Sequence, residues 1–328
     1  MSKMRCALVM GLLSLGLLSS LALGERAHAQ LNTQRQITIV VALAPGGGVD
    51  TLARLIAERL PERLKVPVVV ENRPGAGGMV GAEFVSKAAP DGHTLLLMEN
   101  ASTLHKWLHK SVPYDVTTDF APIALMATTP LLLFAHPSFP ANDVKDVIAQ
   151  ARANPGKLSV GTPGAGTPHQ LAHLMFQAAA KVDLIHVPYR GTGPSLNDLV
   201  GGQIPMIWAT PIVVMQHVQA GRVKALGTAS LKRVPLLPDV PTIAENALPG
   251  FNVDIWFGIS APGKTPRDVI ERLSVAVREV TEMPEVQKRM QTLGYGLDYR
   301  GPDAFRALVA SDHARYGEAI RAAGIQPN

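Results

Sequence analysis

Gly161-Thr162-Pro163-Gly164-Ala165-Gly166-Thr167-Pro168 stands between a short apolar run ending at Val160 and a longer segment, 171–180, whose apolar residues recur at helical spacing. The order reads as strand, glycine-rich turn, helix. Thr167 is placed to cap the helix, Pro168 suits its first position, and Gln170 stands at the capping-box spacing. A helix that begins this way presents unclaimed backbone N–H groups and the positive end of its dipole. A loop of glycines leaves few side chains in front of them. Such a place takes a carboxylate or phosphate without a formal positive charge. The arrangement repeats upstream, where the apolar run 37–43 leads into Ala44-Pro45-Gly46-Gly47-Gly48 and Asp50 is expected to cap a helix over 51–60. Two such lobes, closing on one small anion, are the expectation.

The chain on either side alternates. Strand-like runs fall at 37–43, 66–70, 94–98, 123–134, 158–160, 184–187, 204–208, 223–228 and 253–260. Helix-like runs between them fall at 51–60, 82–89, 144–153, 171–180, 196–200 and 213–220. This alternation predicts an α/β fold with mainly parallel sheets. After Ser260 the pattern turns helical, over 266–281, 285–293 and 303–323, and such a tail is expected to pack back on the first lobe. The 26 prolines and 29 glycines sit mostly between periodic segments and so mark turns.

The N-terminus is of another kind. Lys3 and Arg5 precede the apolar stretch 7–23, and Ala27-His28-Ala29 offers a cleavage signal before Gln30. This is a secretory signal peptide, residues 1–29, cleaved after Ala29 and delivering the protein to the periplasm. The single cysteine, Cys6, leaves with it, so the mature chain has neither disulfide nor thiol chemistry. No later apolar run reaches the ~18 residues of a membrane helix. Charges of both signs are interspersed without a basic block, which speaks against nucleic acid. A chain of 328 residues, about half of them apolar, is long enough for two domains with a sizeable core.

Motifs of chemistry are weak. Gly258-Ile259-Ser260-Ala261-Pro262-Gly263-Lys264-Thr265 has the spacing of a phosphate loop. Pro262 and Pro266 remove N–H groups that such a loop needs, and the stretch reads instead as strand, turn and a helix capped by Thr265. His105 with His109, and His169 with His173, are i, i+4 pairs, but Lys106 and Gln170 stand where a metalloprotease helix carries Glu. No metal is expected, although His169, in the first turn after the glycine loop, is placed to face a cleft. No G-x-S-x-G is present. Glu71, Glu83, Glu99 and Asp115 are scattered and read as solvated or capping. Glu71-Asn72-Arg73-Pro74-Gly75-Ala76-Gly77-Gly78 reads as a tight connection in which Asn72 and Arg73 tie down backbone carbonyls. Ser102 and Thr103 follow the strand at 94–98, where an α/β sheet commonly meets its ligand.

Taken together, these motifs resemble one family. The export signal, then Ile37-Thr38-Ile39-Val40-Val41 with Pro45-Gly46-Gly47 and Asp50, resembles the opening of the Bug-type receptors, the periplasmic solute-binding proteins of tripartite tricarboxylate transporters. Glu71-Asn72-Arg73-Pro74-Gly75-Ala76-Gly77-Gly78 and Ala89-Pro90-Asp91-Gly92-His93-Thr94-Leu95-Leu96 are similar to its second and third signatures. Gly164-Ala165-Gly166-Thr167, His186-Val187-Pro188-Tyr189-Arg190-Gly191, Leu236-Leu237-Pro238-Asp239-Val240-Pro241-Thr242 and Arg321-Ala322-Ala323-Gly324-Ile325 fit in order. The likeness covers essentially the whole mature chain.

The resemblance implies a type II periplasmic-binding-protein fold, with two α/β lobes joined by two crossover segments near 125–129 and 251–256 and the ligand cleft between them. Lobe one is expected at 30–126 plus 251–328 and lobe two at 127–250. The implied ligand is a small organic acid, its carboxylate held by backbone N–H and hydroxyl groups of both lobes. Pro45, Gly46, Gly47, Ser102 and Thr103 are expected from lobe one, and Thr162, Gly164, Gly166 and Thr167 from lobe two. The sequence departs from the family where a bulkier aromatic usually stands and here is Leu43, where His is common and here is Gln170 with His169 before it, and where Asp-Ser is frequent and here Trp208-Ala209 precede Thr210. An Asp would suit a ligand amino group. Trp208 either packs in the core or lines the pocket and favours an apolar body, so a non-amino carboxylic acid is expected. The implied partners are the membrane components of a transporter, or a sensor's outer domain. The chain is read as a monomer without cofactor. An exported α/β enzyme acting on a small carboxylate is the alternative.

Overall fold

β1 (Ile37–Val41) is a run rich in β-branched residues with both faces shielded from solvent. A strand without a polar face belongs inside a sheet covered on both sides, and β1 lies parallel between β2 (Val68–Asn72) and β3 (Thr94–Glu99). Helix α1 (Gly48–Leu64) connects β1 to β2, and α2 (Met79–Ser86) lies between β2 and β3. β4 (Phe120–Pro130) and β10 (Asp254–Pro262) run antiparallel, β10 lies antiparallel to β3 as well, and β11 (Gly296–Arg300) closes the far edge on β4. The first sheet has six strands in the order β11-β4-β10-β3-β1-β2. The second is built from β5 (Leu132–Ala135), β6 (Ser159–Thr162), β7 (Ile185–Pro188), β8 (Met206–Ala209) and β9 (Lys224–Thr228), in the order β7-β6-β8-β5-β9. The structure, a computed structural model, describes residues 32, 34–43, 45, 46, 48–322, 324, 326 and 327. The leader, its cleavage site after Ala29, and Gly47 lie outside the described residues.

The second sheet carries α4 (Val144–Ala153), α5 (Pro168–Ala180), α6 (Thr192–Val200), α7 (Pro211–Gln219) and the short α8 (Ile243–Asn246). The tail adds α9 (Arg267–Thr281), α10 (Pro284–Thr292) and α11 (Pro302–Ala322). The tail does return to the first sheet. Phe305 and Val309 of α11 pack with Val40 and Leu96, and Gly317 lets the helix pass so close that a Cβ there would stand 2.4 Å from the Trp107 ring.

The chain passes between the sheets twice, and the two passages lie side by side. Leu131 links β4 to β5, and Val253 leads back into β10. Ala229 N–H donates to the Leu131 carbonyl at 2.7 Å, and Val253 N–H to the Ala229 carbonyl at 3.0 Å. The single strand expected over 123–134 is therefore two, broken where Pro130 offers no N–H to continue a ladder. The expectation of mainly parallel sheets is also corrected. β3–β10, β4–β10, β4–β11, β5–β8 and β5–β9 are antiparallel. Both sheets are mixed because the crossover passages enter them directly, without the covering helix that parallel neighbours need. One apolar cluster runs through both sheets, taking Ile39, Leu97 and Ile259 from the first and Leu133, Val160 and Trp208 from the second.

Candidate functional site

The carboxyl ends of β1, β3, β6 and β8 each open into a turn and then a helix. After β3 comes a 3-10 turn, Asn100–Thr103, and the short α3 (His105–Leu108). The edges of the two sheets approach each other at two places, each time a turn glycine of one against a helix of the other. A Cβ on Gly166, before α5, would lie 3.9 Å from Leu108 Cδ1, and a Cβ on Gly294, before β11, would lie 3.1 Å from the Cβ of Ile212 in the first turn of α7. Ligands of open α/β sheets bind outside the carboxyl ends of the strands, and here two such edges meet.

Many of the polar groups are already engaged. Asp50 was expected before the helix. It lies inside the first turn of α1 instead, because the helix begins at Gly48. Its carboxylate accepts the Gly46 N–H at 2.9 Å and binds Arg54 and Asn72. The hydrogen bond from Arg54 is the main reason its carboxyl is held down at about 2. In the second lobe Gly166 N–H donates to Gln170 Oε1 at 2.7 Å, and Thr167 Oγ1 donates to the Gly164 carbonyl at 2.8 Å. Thr162 is fully buried, with its hydroxyl 2.7 Å from His186 Nε2. Thr103 is fully buried too, and donates to the Asn100 carbonyl at 2.7 Å. Pro45 is exposed and Leu43 half-buried in the turn after β1.

Other groups are not engaged. Among the described residues Ser102 and Thr210, both half-buried, make no side-chain hydrogen bond, and Thr210 does not cap α7. The first-turn N–H groups of α7 are therefore unclaimed, and Pro211 has none to offer. Among the described residues His169 Nδ1 is buried without a partner, and burial lowers the ring's pKa to about 4. Trp208 has no exposure at all. It packs edge-on to Phe176 with ring centroids 6.0 Å apart, and its Nε1 has no hydrogen-bond partner among the described residues.

Residues 52–325 match the pattern of the tripartite tricarboxylate transporter family receptor. The chain belongs to that family. A relative from Pseudomonas sp. strain P51, the UPF0065 protein in the tcbD-tcbE intergenic region, is 41% identical over 287 residues, covering 87% of this chain and 85% of its own. The solved periplasmic binding protein BugD is similar at 36% identity and a TM-score of 0.76, covering 90% of this chain and 99% of its own. Rpa4515 of R. palustris with adipate is similar at 31% identity and a TM-score of 0.78, over 90% of this chain and 99% of its own. MatC of Rhodopseudomonas palustris with bound malate is similar at 34% identity and a TM-score of 0.75, over 87% of this chain and 99% of its own. The two sheets are thus the two lobes of a periplasmic binding protein, and the family is one of solute receptors located in the periplasm.

One residue of this receptor escaped the sequence reading. Glu99 was expected to be solvated or capping. It is half-buried at the carboxyl end of β3, and its side chain makes no cap hydrogen bond to the turn that follows. Burial pushes its carboxyl up to about 7. Leu95 and Leu97 lie in the core under α1, so strand alternation put Glu99 on the same inward face. That was the available signal. Asp115, by contrast, does cap its turn, accepting the Thr117 N–H at 2.9 Å.

The remaining motifs are structural. Asn72 ties down the Leu43 carbonyl at 3.1 Å as expected, whereas Arg73 pairs with Glu71 at 2.7 Å and lies 3.5 Å over the Phe84 ring. The phosphate-loop spacing ends in a turn where Thr265 Oγ1 donates to the Pro262 carbonyl at 2.8 Å. Thr265 therefore does not cap α9, and Pro266 stands at the cap position. Among the described residues no three His, Cys, Asp or Glu side chains are grouped as metal ligands.

Proposed function

We propose that the receptor holds one small organic carboxylate in the cleft between its lobes and presents it to the membrane components of a tripartite tricarboxylate transporter. The observation that carries this is the approach of the two sheets' edges at Gly166 to Leu108 and Gly294 to Ile212, with the hydroxyls of Ser102 and Thr210 unengaged beside them among the described residues. Lobe one is taken as 30–126 plus 251–328 and lobe two as 127–250, with the ligand closing them as it gains contacts to both. From lobe one we assign the turn containing Leu43, Pro45, Gly46 and Gly47, together with the Ser102 hydroxyl. From lobe two we assign Gly164, His169 with its backbone N–H, the Thr210 hydroxyl and the N–H groups that open α7. The engaged hydroxyls of Thr103, Thr162 and Thr167 are given the task of fixing these turns. Adipate bound to Rpa4515 and malate bound to MatC support an aliphatic acid as ligand. With Trp208 in place of an acidic side chain, a non-amino acid is favoured.

The mature form is taken to be a monomer starting at Gln30. A thermal-shift screen of residues 30–328 against mono-, di- and aromatic carboxylates, with amino acids included, tests the proposal. A ligand at 100 times its dissociation constant adds about 2.7 kcal/mol of stability. A raised midpoint with one acid, recovered unaltered, is the expected result. A shift with an amino acid and none with any plain carboxylate would overturn the ligand class, and conversion of the acid would establish an enzyme.

A further inference from the structure

Glu99 stands half-buried at the carboxyl end of β3, on the strand face that carries Leu95 and Leu97 into the core. Among the described residues its carboxyl makes no hydrogen bond or ion pair. Its strand partner in β10 is Phe257, whose ring stands edge-on to Tyr295 with centroids 5.3 Å apart. The Tyr295 hydroxyl lies 2.6 Å from where a Cβ on Gly48 would be, at the start of α1. Glu99 and Tyr295 act on each other electrostatically, Glu99's charge being the second cause, after burial, that pushes the phenol up to about 12. Carboxyl, phenol and helix start thus converge beside the turn that carries Pro45 and Gly46.

The charged and titratable groups of the packed elements are otherwise occupied. On α1, Arg54 is bound by Asp50 and by Asn72 at 2.9 Å. β1 carries no charged residue. Further along β10, Asp254 accepts the Ser230 hydroxyl. Across the cleft, His169 is held neutral by burial.

A carboxylate ligand drawn to these helix starts meets Glu99 with no cation between them. Two carboxylates sharing one site cannot both stay ionised at low cost, and one takes a proton. We infer that Glu99 is a ligand-contacting residue of the cleft and is a neutral carboxylic acid in the bound state, donating a hydrogen bond to a carboxylate oxygen of the ligand. The proton comes from solvent, so wherever the free carboxyl is ionised one proton is taken up for each anion bound. This rests on the carboxylate-receptor reading and adds to it a specificity rule: the acid is preferred over any analogue that carries an ammonium at that end and an amide in place of the carboxylate.

Burial already pushes the free carboxyl up to about 7. Proton-linked binding then weakens more than tenfold from pH 6.5 to pH 8.5. The test is isothermal calorimetry of the full mature chain with malate, succinate, adipate and benzoate at both pH values, run in phosphate and in Tris. Expected are a more than tenfold affinity loss at pH 8.5 and a heat that differs between buffers by the uptake of about one proton at pH 8.5 and by a small fraction of one at pH 6.5, where most of the free carboxyl already holds its proton. Glu99→Gln, which keeps the shape and cannot ionise, is expected to bind equally at both pH values. The proton-uptake measurement on the wild type stands even if that variant does not fold. Equal wild-type affinity at the two pH values with no proton uptake overturns the inference and leaves the receptor reading intact, as does a pH slope that survives in Glu99→Gln. Failure of every acid to bind folded protein at either pH overturns both.

Discussion

Gly166 donates its N–H to the side-chain oxygen of Gln170 at 2.7 Å. The capping-box spacing led one to expect Gln170 to reach the N–H of Thr167, the cap itself. It reaches one residue further back and so closes the glycine turn as well as the helix start. Thr167 completes the closure, accepting the Gln170 N–H at 3.4 Å while donating to the Gly164 carbonyl at 2.8 Å. Gln170→Ala is expected to lower stability by about 1 kcal/mol through the lost hydrogen bond. Thr167→Ala is expected to cost about 1 kcal/mol as a lost cap. Because both act on one turn, the double variant should cost less than the sum of the two. Urea unfolding of the three proteins checks this. Additive losses would mean that the two side chains hold the turn independently.

Asp50 gives a prediction in pH. Arg54 first, then the Gly46 N–H and Asn72, hold its carboxyl at about 2, below the ordinary 3.8. A lowered acid stabilises the fold above the unfolded pKa and loses that contribution as pH falls through the folded one. The receptor should therefore lose on the order of 1–2 kcal/mol between about pH 4 and pH 2 from this group, discounted because Arg54 is half exposed. Asp50→Asn should show a shallower acid limb in urea unfolding, and an unchanged limb would show that the cluster is not linked to protons.

Much of the fold was legible because its signals are local. The apolar run of β1 and the Thr167-Pro168 start of α5 are readable within a few residues, and both elements form where their patterns put them. What failed was non-local. Nothing near Gly296–Arg300 announces a strand, since β11 exists by pairing with the distant β4. The antiparallel sense of β10 depends on the route of the chain between lobes, which spacing does not record. At the site, backbone donors were readable from turn composition, but their availability was not. Gly46 and Gly166 spend their N–H groups on Asp50 and Gln170. A lone carboxylate in sequence looks solvated, and Glu99 stands out only through its place opposite Phe257 in the sheet and its electrostatic influence on Tyr295.

Trp208 separates stability from binding. It is fully buried, touches Phe176 edge-on, and leaves Nε1 without a partner among the described residues. Trp208→Phe loses no hydrogen bond and keeps an aromatic edge, so it should cost about 1–2 kcal/mol. Trp208→Ala opens a cavity and should cost about 3–5 kcal/mol. Ligand affinity of the Phe variant should stay within about threefold of the wild type, a difference of less than 1 kcal/mol. A larger loss, measured by calorimetry, would put the indole in the ligand's wall.

Asp254 opens β10 at the return passage between the lobes, accepts the Ser230 hydroxyl, and its carbonyl accepts from Asn100 Nδ2 at 2.9 Å. Burial raises its carboxyl from 3.8 to about 6, the Ser230 hydrogen bond opposing. The sign is opposite to that of Asp50. Between about pH 4 and pH 6 the folded protein holds the proton more firmly than the unfolded chain, so stability falls as pH rises through that window. The loss is on the order of 2 kcal/mol by pH 7. Glu99 adds a slope of the same sign, so the informative quantity is the difference between wild type and Asp254→Asn. Asparagine can still accept from Ser230 and has no charge to bury. The variant should match the wild type near pH 4 and be the more stable protein at pH 7.5 in urea unfolding. If it is instead less stable at pH 7.5, the ionised carboxylate holds the two passages together, and the lobes should then part more readily in the variant.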